Sequence, residues 1–342
     1  MSTPERVDPH DTSSFDSWYD VFSVAVDDGR QYPVGFAREE MRAALTRENP
    51  YKLKELWALR EAGEIVGGLE LEAPLLDNTS LISGIVAVRA DARRRGHGRA
   101  LGRLLDERAA EHGRSVLISQ VEVPSGATES TPGQRFATAL GFSAANFEVH
   151  RVLELPLAPE LLDELSAKAA ERHQGYALRS WRDRCPDDLV DAFAALQTTF
   201  VLEAPTGDLE VEAEHWDAAR IRLNEEQNVA QGRNSWTTVA VAPDGTLAGH
   251  TELVKGEHDP GKVFQWGTLV APAHRGHWLG LGLKAHNHRE LQKTHTEPLV
   301  VHTWNGEENT AMNAVNAQLG FQPVERHEEW QKILRAETLA GN

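Results

Sequence analysis

Arg95-Gly96-His97-Gly98-Arg99-Ala100 follows a strand-like apolar run and opens a helix-like one. Arg275-Gly276-His277-Trp278-Leu279-Gly280 does the same 180 residues later. Each is followed by Leu-Gly-Phe, at Leu140-Gly141-Phe142 and at Leu319-Gly320-Phe321. A repeat of that period predicts two similar domains in tandem, before any chemistry is considered. Glycine between a strand and a helix leaves the first N–H groups of the helix free to face an anion.

Upstream of the first loop, residues 80–88 read as a strand apolar enough to be buried on both faces. Before it, residues 56–59 and 65–71 form a hairpin across Glu61-Ala62-Gly63-Glu64. Helices over 15–26 and 37–46 precede the hairpin, behind a loose tail to about Ser14. Downstream, Leu101, Leu104, Leu105 and Ala109 share one face of a helix that ends near Gly113. A strand over 115–123, a short helix over 133–140 and a last strand over 147–155 complete the half. Pro156 and Pro159 mark a break, and a helix over 161–172 connects the halves.

The second half repeats the plan. A strand from Tyr176, helices over 187–200 and 212–226, and a hairpin across Pro243-Asp244-Gly245 lead to a strand over 263–270. Beyond the loop come a helix over 279–292, a strand over 298–304, a helix over 309–319 and a strand over 322–334. The predicted fold is α/β in the α+β sense. It has a domain over 1–157, a connector over 158–175 and a domain over 176–342. Each domain is a mixed, mostly antiparallel sheet flanked by helices.

Lys and Arg number 35 against 52 Asp and Glu, a formal charge of −17. That balance argues against nucleic acid or an anionic membrane as partner, and it favours a cationic small molecule. Cys185 is the single cysteine, so no internal disulfide forms. No apolar run approaches the roughly 18 residues that span a bilayer. The opening residues to Ser14 are polar and acidic, without an apolar signal region. A cytoplasmic protein is expected.

Strand, Arg-x-x-Gly-x-Ala, then helix resembles the acyl-CoA pyrophosphate loop of the GNAT acetyltransferase superfamily. The mycothiol synthase family has the same two-domain plan. Arg95 to Ala100 match the Gln/Arg-x-x-Gly-x-Gly/Ala signature, and Arg93, Arg94, Arg95 and Arg99 add a positive patch to an acidic chain. In the second loop Arg275 and Gly280 match, but Trp278 stands at the central glycine, and the stretch from Val270 to Arg275 is shorter than that from Val88 to Arg95. The resemblance implies acetyl-CoA as acyl donor and no metal. It implies that Val86, Ala87, Val88, Arg93, Arg94, Arg95, Gly96, His97, Gly98, Arg99 and Ala100 hold the donor in the first half. In the second half it implies Val270, Arg275, Gly276, His277, Trp278, Leu279, Gly280, Asn305 and Asn309. Asn309 reads equally well as a helix N-cap.

Acetyl transfer from a thioester to an amine needs a base for the amine proton, an N–H donor for the carbonyl oxygen, and help for the departing thiolate. The resemblance places the oxyanion donor near Val88 or Val270. It also places a tyrosine acid five residues before the Leu-Gly-Phe phenylalanine. Those positions hold Ala137 and Asn316, so Asn316 is the catalytic-site candidate there; either an acid such as Tyr176 or a water comes from elsewhere, or the thiolate leaves unaided. Glu252, within His250-Thr251-Glu252-Leu253, is the candidate base; Glu70 and Glu72 lie on the corresponding strand of the first half. None of the fifteen histidines pairs with another at a zinc-motif spacing.

The function expected is an acetyl-CoA-dependent N-acetyltransferase acting on a small amine: an amino sugar, an amino acid, or an amine-bearing metabolite or antibiotic. The rival readings are a non-catalytic acyl-CoA-binding or sensing protein and a protein lysine acetyltransferase. The oligomeric state stays open, with a homodimer among the arrangements.

Overall fold

A computed structural model describes residues 3–203 and 206–334 of the chain. Its first half runs β1 (Glu5–Val7), α1 (Thr12–Asp27), α2 (Arg38–Thr46), β2 (Lys52–Glu61), β3 (Glu64–Pro74), β4 (Leu81–Val88), α3 (His97–Glu111), β5 (Val116–Pro124), α4 (Pro132–Ala139) and β6 (Ser143–Leu155). The second half runs α5 (Pro159–Ala170), β7 (Ala177–Arg182), α6 (Val190–Thr198), α7 (Phe200–Glu203), α8 (Ala218–Ala230), β8 (Arg233–Val241), β9 (Leu247–Gly256), β10 (Lys262–Val270), α9 (Leu279–Gln292), β11 (Leu299–Gly306), α10 (Thr310–Leu319) and β12 (Gln322–Ile333).

The elements follow local physics. Ala62 and Gly63 both take positive φ, which closes the β2–β3 hairpin with two residues. Thr131 and Gln134 cap α4 reciprocally, a capping box. Gly320 ends α10 at φ +99°, as an αL cap requires. Two elements depart from expectation. Glu5–Val7 is a strand rather than part of a loose tail, laddered to Leu56–Ala58; three residues are too few to show an alternation. The helix expected from residue 212 starts at Ala218, where the Asp217 side chain accepts from Arg220 N at 2.8 Å.

The chain divides into two units, and their membership does not follow the sequence halves. One holds residues 1–147, 206–212 and 325–342; the other holds 148–205 and 213–324. The last strand of each half thus lies mostly in the opposite unit. In the first unit the strand order is β1-β2-β3-β4-β5-β12, and β12 pairs with β5 from Glu325 to Ile333. In the second it is β6-β11-β10-β9-β8-β7, and β6 pairs with β11 from Glu148 to Leu155. The β4–β5 and β10–β11 ladders are parallel; the neighbouring ladders are antiparallel.

Each sheet is covered on both faces. In the first unit Leu101, Leu105 and Ala109 of α3 pack on Leu69, Leu71, Ile82 and Leu117. Phe15, Trp18 and Phe22 of α1 cover the other side, against Leu56, Ala58 and Ile65. In the second unit α5 and α9 pack on Leu253, Val263 and Val301. There α6 packs through Phe193 and Ala194 on Val239, Leu247 and Leu269. No helix among the described residues is long and apolar enough to cross a membrane.

Candidate active site

The parallel strands of each unit part company. The β4–β5 ladder covers only Leu81–Ser83 against Val116–Ile118, although β4 continues to Val88 and β5 to Pro124. The β10–β11 ladder covers only Lys262–Phe264 against Val300–His302, although β10 continues to Val270 and β11 to Gly306. A hydroxyl bridges each fork: Ser119 Oγ donates to Gly84 O at 2.8 Å, and Thr303 Oγ1 to Gln265 O at 3.3 Å. Beyond the fork, one row of backbone groups faces an open slot. Arg89 N bonds Val66 O on the β3 side. Alternation therefore aims Val86 and Val88 into the slot and leaves Ala87 in the β3 ladder. Ala271 N bonds Ala248 O in the same manner, which aims Thr268 and Val270 into the second slot.

The loops at the slot mouths have equal lengths. A 3₁₀ turn at Ala90–Ala92 matches one at Pro272–His274. After it, Arg93 Nε donates to Val88 O at 2.9 Å, and Arg275 Nε to Val270 O at 3.3 Å. Arg275 therefore corresponds to Arg93, not to Arg95, and the second loop is not shorter. The expected alignment through Arg-Gly-His is out of register by two residues. In the structural register the first loop reads Arg93-x-x-Gly96-x-Gly98 and the second Arg275-x-x-Trp278-x-Gly280. Helix α3 starts after Gly96 at φ +93°, and α9 starts after Trp278 at φ +53°.

Both loops use two left-handed residues, and the glycine sits at opposite ones. Arg94 and Gly96 take φ +66° and +93°; Gly276 and Trp278 take +83° and +53°. The backbone traces agree while the residue types trade places. Trp278 is 39 % exposed, and its ring lies beneath Lys168 Nζ and Arg172 Cζ, each at 5.4 Å. His277 Nδ1 lies 3.2 Å from Arg172 O. A Cβ on Gly280 would touch Val270 and Val315 at 3.9 Å, ordinary contact, whereas a Cβ on Gly98 would meet the Phe136 ring at 3.0 Å. Ala100 and Leu279 lie on their helices, Leu279 being buried in a small cluster with Leu283 and Ala248.

Of the arginines in the first loop, two are committed. Arg93 pairs with Asp28 at 2.8 Å, and Arg95 pairs with Glu61 at 2.9 Å. His97 Nε2 lies 3.5 Å from the same Glu61. Arg94 and Arg99 make no ion pair among the described residues and are exposed. Arg275 pairs with Glu203 at 2.5 Å.

Glu252 lies on β9 opposite a bulge. The β9–β10 register slips between Gln265 and Thr268, so Trp266 and Gly267 crowd the site that Glu252 faces. Thr237 Oγ1 donates to Glu252 Oε1 at 3.5 Å, and Gln265 Nε2 donates to the Glu252 backbone carbonyl at 2.6 Å. The carboxyl keeps some solvent contact, yet the protein mass around it dominates and burial pushes its pKa up to about 7. Glu70 occupies the matching place on β3: Gly67 pairs with Val88 as Gly249 pairs with Val270, three residues before each glutamate. Burial raises Glu70 to about 7 as well, with Glu72 adding to the shift and Lys54 opposing it. The β3–β4 ladder has no slip. His250 flanks Glu252 on the same face, its ring 5.5 Å from Phe193 and 6.1 Å from Phe200, and burial lowers its pKa to about 4, so it is neutral.

Asn316 lies on the opposite face of the sheet from Glu252, among α9, α10 and β11. Its Nδ2 donates to Asn305 Oδ1 at 2.5 Å, and its Oδ1 accepts from Lys284 Nζ at 2.7 Å. Asn305 and Asn316 are thus brought together; Asn316 and Glu252 share only the slot between β10 and β11. Lys284 went unread in the sequence, because one lysine inside an amphipathic helix carries no motif. Asn309 caps α10 by accepting from Met312 N at 3.1 Å. Tyr176 OH is engaged by His274 Nδ1 at 2.9 Å, at the loop.

No family model matches this sequence, and no curated protein matches it. Solved structures do. A tandem GNAT protein from the clavulanic acid biosynthesis pathway, solved without acetyl-CoA, is 27 % identical over 97 % of this chain and 98 % of its own, with a TM-score of 0.78. A GCN5-related N-acetyltransferase from Sphaerobacter thermophilus shares the fold at 16 % identity, TM-score 0.65, over 97 % of this chain and 95 % of its own. A glucosamine N-acetyltransferase region of a fungal multi-domain β-N-acetylglucosaminidase shares it at 15 % identity and TM-score 0.66, over 97 % of this chain and 38 % of that one. With the likeness to the clavulanic acid pathway protein running nearly end to end in both chains, this chain has the tandem GNAT fold of an acyltransferase.

Proposed function

We propose that the protein is an acetyl-CoA-dependent N-acetyltransferase for a small amine and that the second unit carries the chemistry. The observation behind this reading is the alignment of three features along one slot: the Arg275–Gly280 loop at its mouth, the open N–H row of Thr268 and Val270 along it, and Glu252 opposite the bulge. The first unit has the loop and Glu70 but no bulge.

The donor set suits a nucleotide thioester. The first N–H groups of α9 point out at its N-terminus, where the helix dipole favours a diphosphate. Gly276 holds the turn, and Gly280 leaves room beside the backbone. Asn305 and Asn309 flank the slot further along. In the first unit Gly96, Gly98, Arg94 and Arg99 offer the same chemistry, so both loops bind the donor in this proposal.

The N–H of Thr268 or Val270 stabilises the carbonyl oxygen as it gains charge. Glu252, held near 7, takes the amine proton directly or through water at neutral pH. An acceptor carrying an ammonium group fits a chain with a formal charge of −17. Amino sugars, amino acids and amine-bearing metabolites or antibiotics share that group. Nucleic acid and membrane surfaces do not fit that charge.

The test is thiol release from acetyl-CoA against a panel of such amines, with product mass confirming N-acetylation. CoA binding without acetylation of any amine would replace this reading with a binding or sensing role.

A further inference from the structure

Lys284 is 1 % exposed and Asn316 is fully buried, yet both hydrogen-bonding ends of the Asn316 amide are used. An amide oxygen accepts and never donates, so the bond from Lys284 Nζ to Asn316 Oδ1 runs one way whether the amine is charged or neutral. Lys284 therefore fixes Asn316 with its carbonyl toward Nζ and its NH2 toward Asn305. Asn305 must accept through Oδ1, which leaves its own NH2 turned away from the chain of bonds. Asn305 is partly exposed and lies on β11 beyond the last rung shared with β10, and its side-chain NH2 donates to nothing among the described residues. The row Lys284→Asn316→Asn305 thus has one polarity and ends in N–H donors beside the slot.

The first unit provides a control within the same chain. The loop glycines Gly98 and Gly280 equate Lys284 with Gly102. The fork hydroxyls of Ser119 and Thr303 equate Asn305 with Val121, and the Leu-Gly-Phe repeat equates Asn316 with Ala137. There Leu140 closes over Gly102, where a Cβ would meet its Cδ1 at 2.6 Å. The fold is satisfied by an apolar filling at all three positions. A buried ammonium is costly, and apolar replacement is often neutral or stabilising. Arg151 is the charge that faces Lys284, adding to the burial that holds its pKa down to about 7. His288, one turn on, is neutral through burial, and the Phe321 ring lies 5.4 Å away. Retaining such a group in one unit and omitting it from the other calls for a role beyond packing.

We propose that Lys284 is a positioning residue which, through Asn316, holds the Asn305 N–H toward the sulfur of CoA and so supplies in the second unit the help to the leaving thiolate that a tyrosine would otherwise give. The inference rests on the acetyltransferase reading above. In the step concerned the acceptor nitrogen forms its bond to the acetyl carbon and its proton goes to Glu252. The carbon–sulfur bond breaks, and its electron pair stays on sulfur. Asn305 hydrogen-bonds that thiolate, which takes a proton from water on release.

The experiment needs no acceptor amine. CoA is bound to the protein, and its thiol is titrated by the ultraviolet absorbance of the thiolate. Cys185 stays silent, because burial pushes its thiol up to about 12. Calorimetry and thermal unfolding accompany each variant. The bound thiol is expected to titrate about one unit lower in the wild type than in Lys284→Met, a tenfold difference in thiolate. The CoA Kd is expected to stay within about threefold. If both loops fill, one of two thiol transitions moves. Asn305→Asp, which still accepts from Asn316 but has no donor to offer, is expected to raise the bound thiol pKa in the same way. Equal thiol pKa values in the wild type and both variants overturn the proposal. So does a Lys284→Met protein that loses CoA binding and the thiol shift together while Asn305→Asp changes neither, because Lys284 is then support for the fold. A wild type that binds no CoA overturns the acetyltransferase reading, and this inference with it, before any thiol is titrated.

Discussion

Glu252 and Glu70 share one cause, a carboxyl under packed protein on the third residue after a strand glycine, and the two predictions attached to them differ. For Glu252 the prediction is kinetic. The unprotonated form is the base, so acetyl transfer rises with pH through about 7. Glu252→Gln is expected to lose about 10²- to 10⁴-fold in kcat and to lose that rising limb, read from a pH series with saturating acetyl-CoA. For Glu70 the prediction is thermodynamic. Its folded pKa near 7 lies above its unfolded value of 4.5, so the folded state is favoured in full below about 4.5 and loses that advantage as pH rises through about 7. Glu70→Gln removes the cost of ionising the buried carboxyl. The variant is expected to be more stable than the wild type by about 1–2 kcal/mol at pH 8, after allowance for partial solvent contact, and nearly equal at pH 4. Denaturant unfolding at the two pH values measures the gap. Both glutamates were legible in the sequence as polar residues within apolar strands, because period two separates them from their neighbours. Lys284 was not: its position in α9 follows the helical period that signals core, and only the partner Asn316 reveals a polar chain.

At the scale of elements, the loop was legible and its register was not. The repeated Arg-Gly-His drew attention to side chains, while the structure repeats backbone: a 3₁₀ turn, an arginine on the strand-end carbonyl, then two left-handed residues. A glycine at either left-handed position serves the turn, so identity slid by two residues while geometry stayed fixed. Arg94 bears the strain of that exchange, since a side chain in the left-handed region costs about 1 kcal/mol relative to glycine. Arg94→Gly is expected to stabilise the chain by up to about 1 kcal/mol in thermal unfolding. In the same variant CoA affinity at the first loop falls, because Arg94 is one of two uncommitted cations there. Stability and affinity moving in opposite directions distinguishes ligand contact from turn formation. Gly280→Glu adds a Cβ at ordinary contact with Val270 and Val315, 3.9 Å from each, and brings a carboxylate to the α9 N-terminus; it is expected to remove one CoA from the calorimetric stoichiometry without loss of fold. Unchanged stoichiometry would mean that the second loop holds no diphosphate.

For the molecule as a whole, the repeat announced two similar units but could not announce which strand completes each. A strand pattern encodes an apolar face and a polar one; it does not name the neighbour it will pair with. The last strand of the first half places Leu153 and Leu155 in the core of the second unit. The last strand of the second half places Trp330 in the core of the first, where Glu328 accepts from Trp330 Nε1 and from Gln134. Cutting the chain at 157/158 therefore deprives each half of the strand that closes its sheet. The first half keeps β6 with Leu153 and Leu155 exposed, and it leaves β5 as an open edge. Each such large apolar side chain forfeits about 1.5–3 kcal/mol of burial, against a typical stability of about 5–15 kcal/mol for a domain. An unpaired central strand also invites association between copies. Residues 1–157 and 158–342 produced separately are expected to be insoluble or to associate, without a cooperative thermal transition. Produced together they are expected to yield a soluble complex that binds CoA, since every strand then has its partner again. A soluble, cooperatively folding 1–157 monomer would mean that β12 is dispensable to the first sheet and that the exchange of final strands does not hold the units' cores.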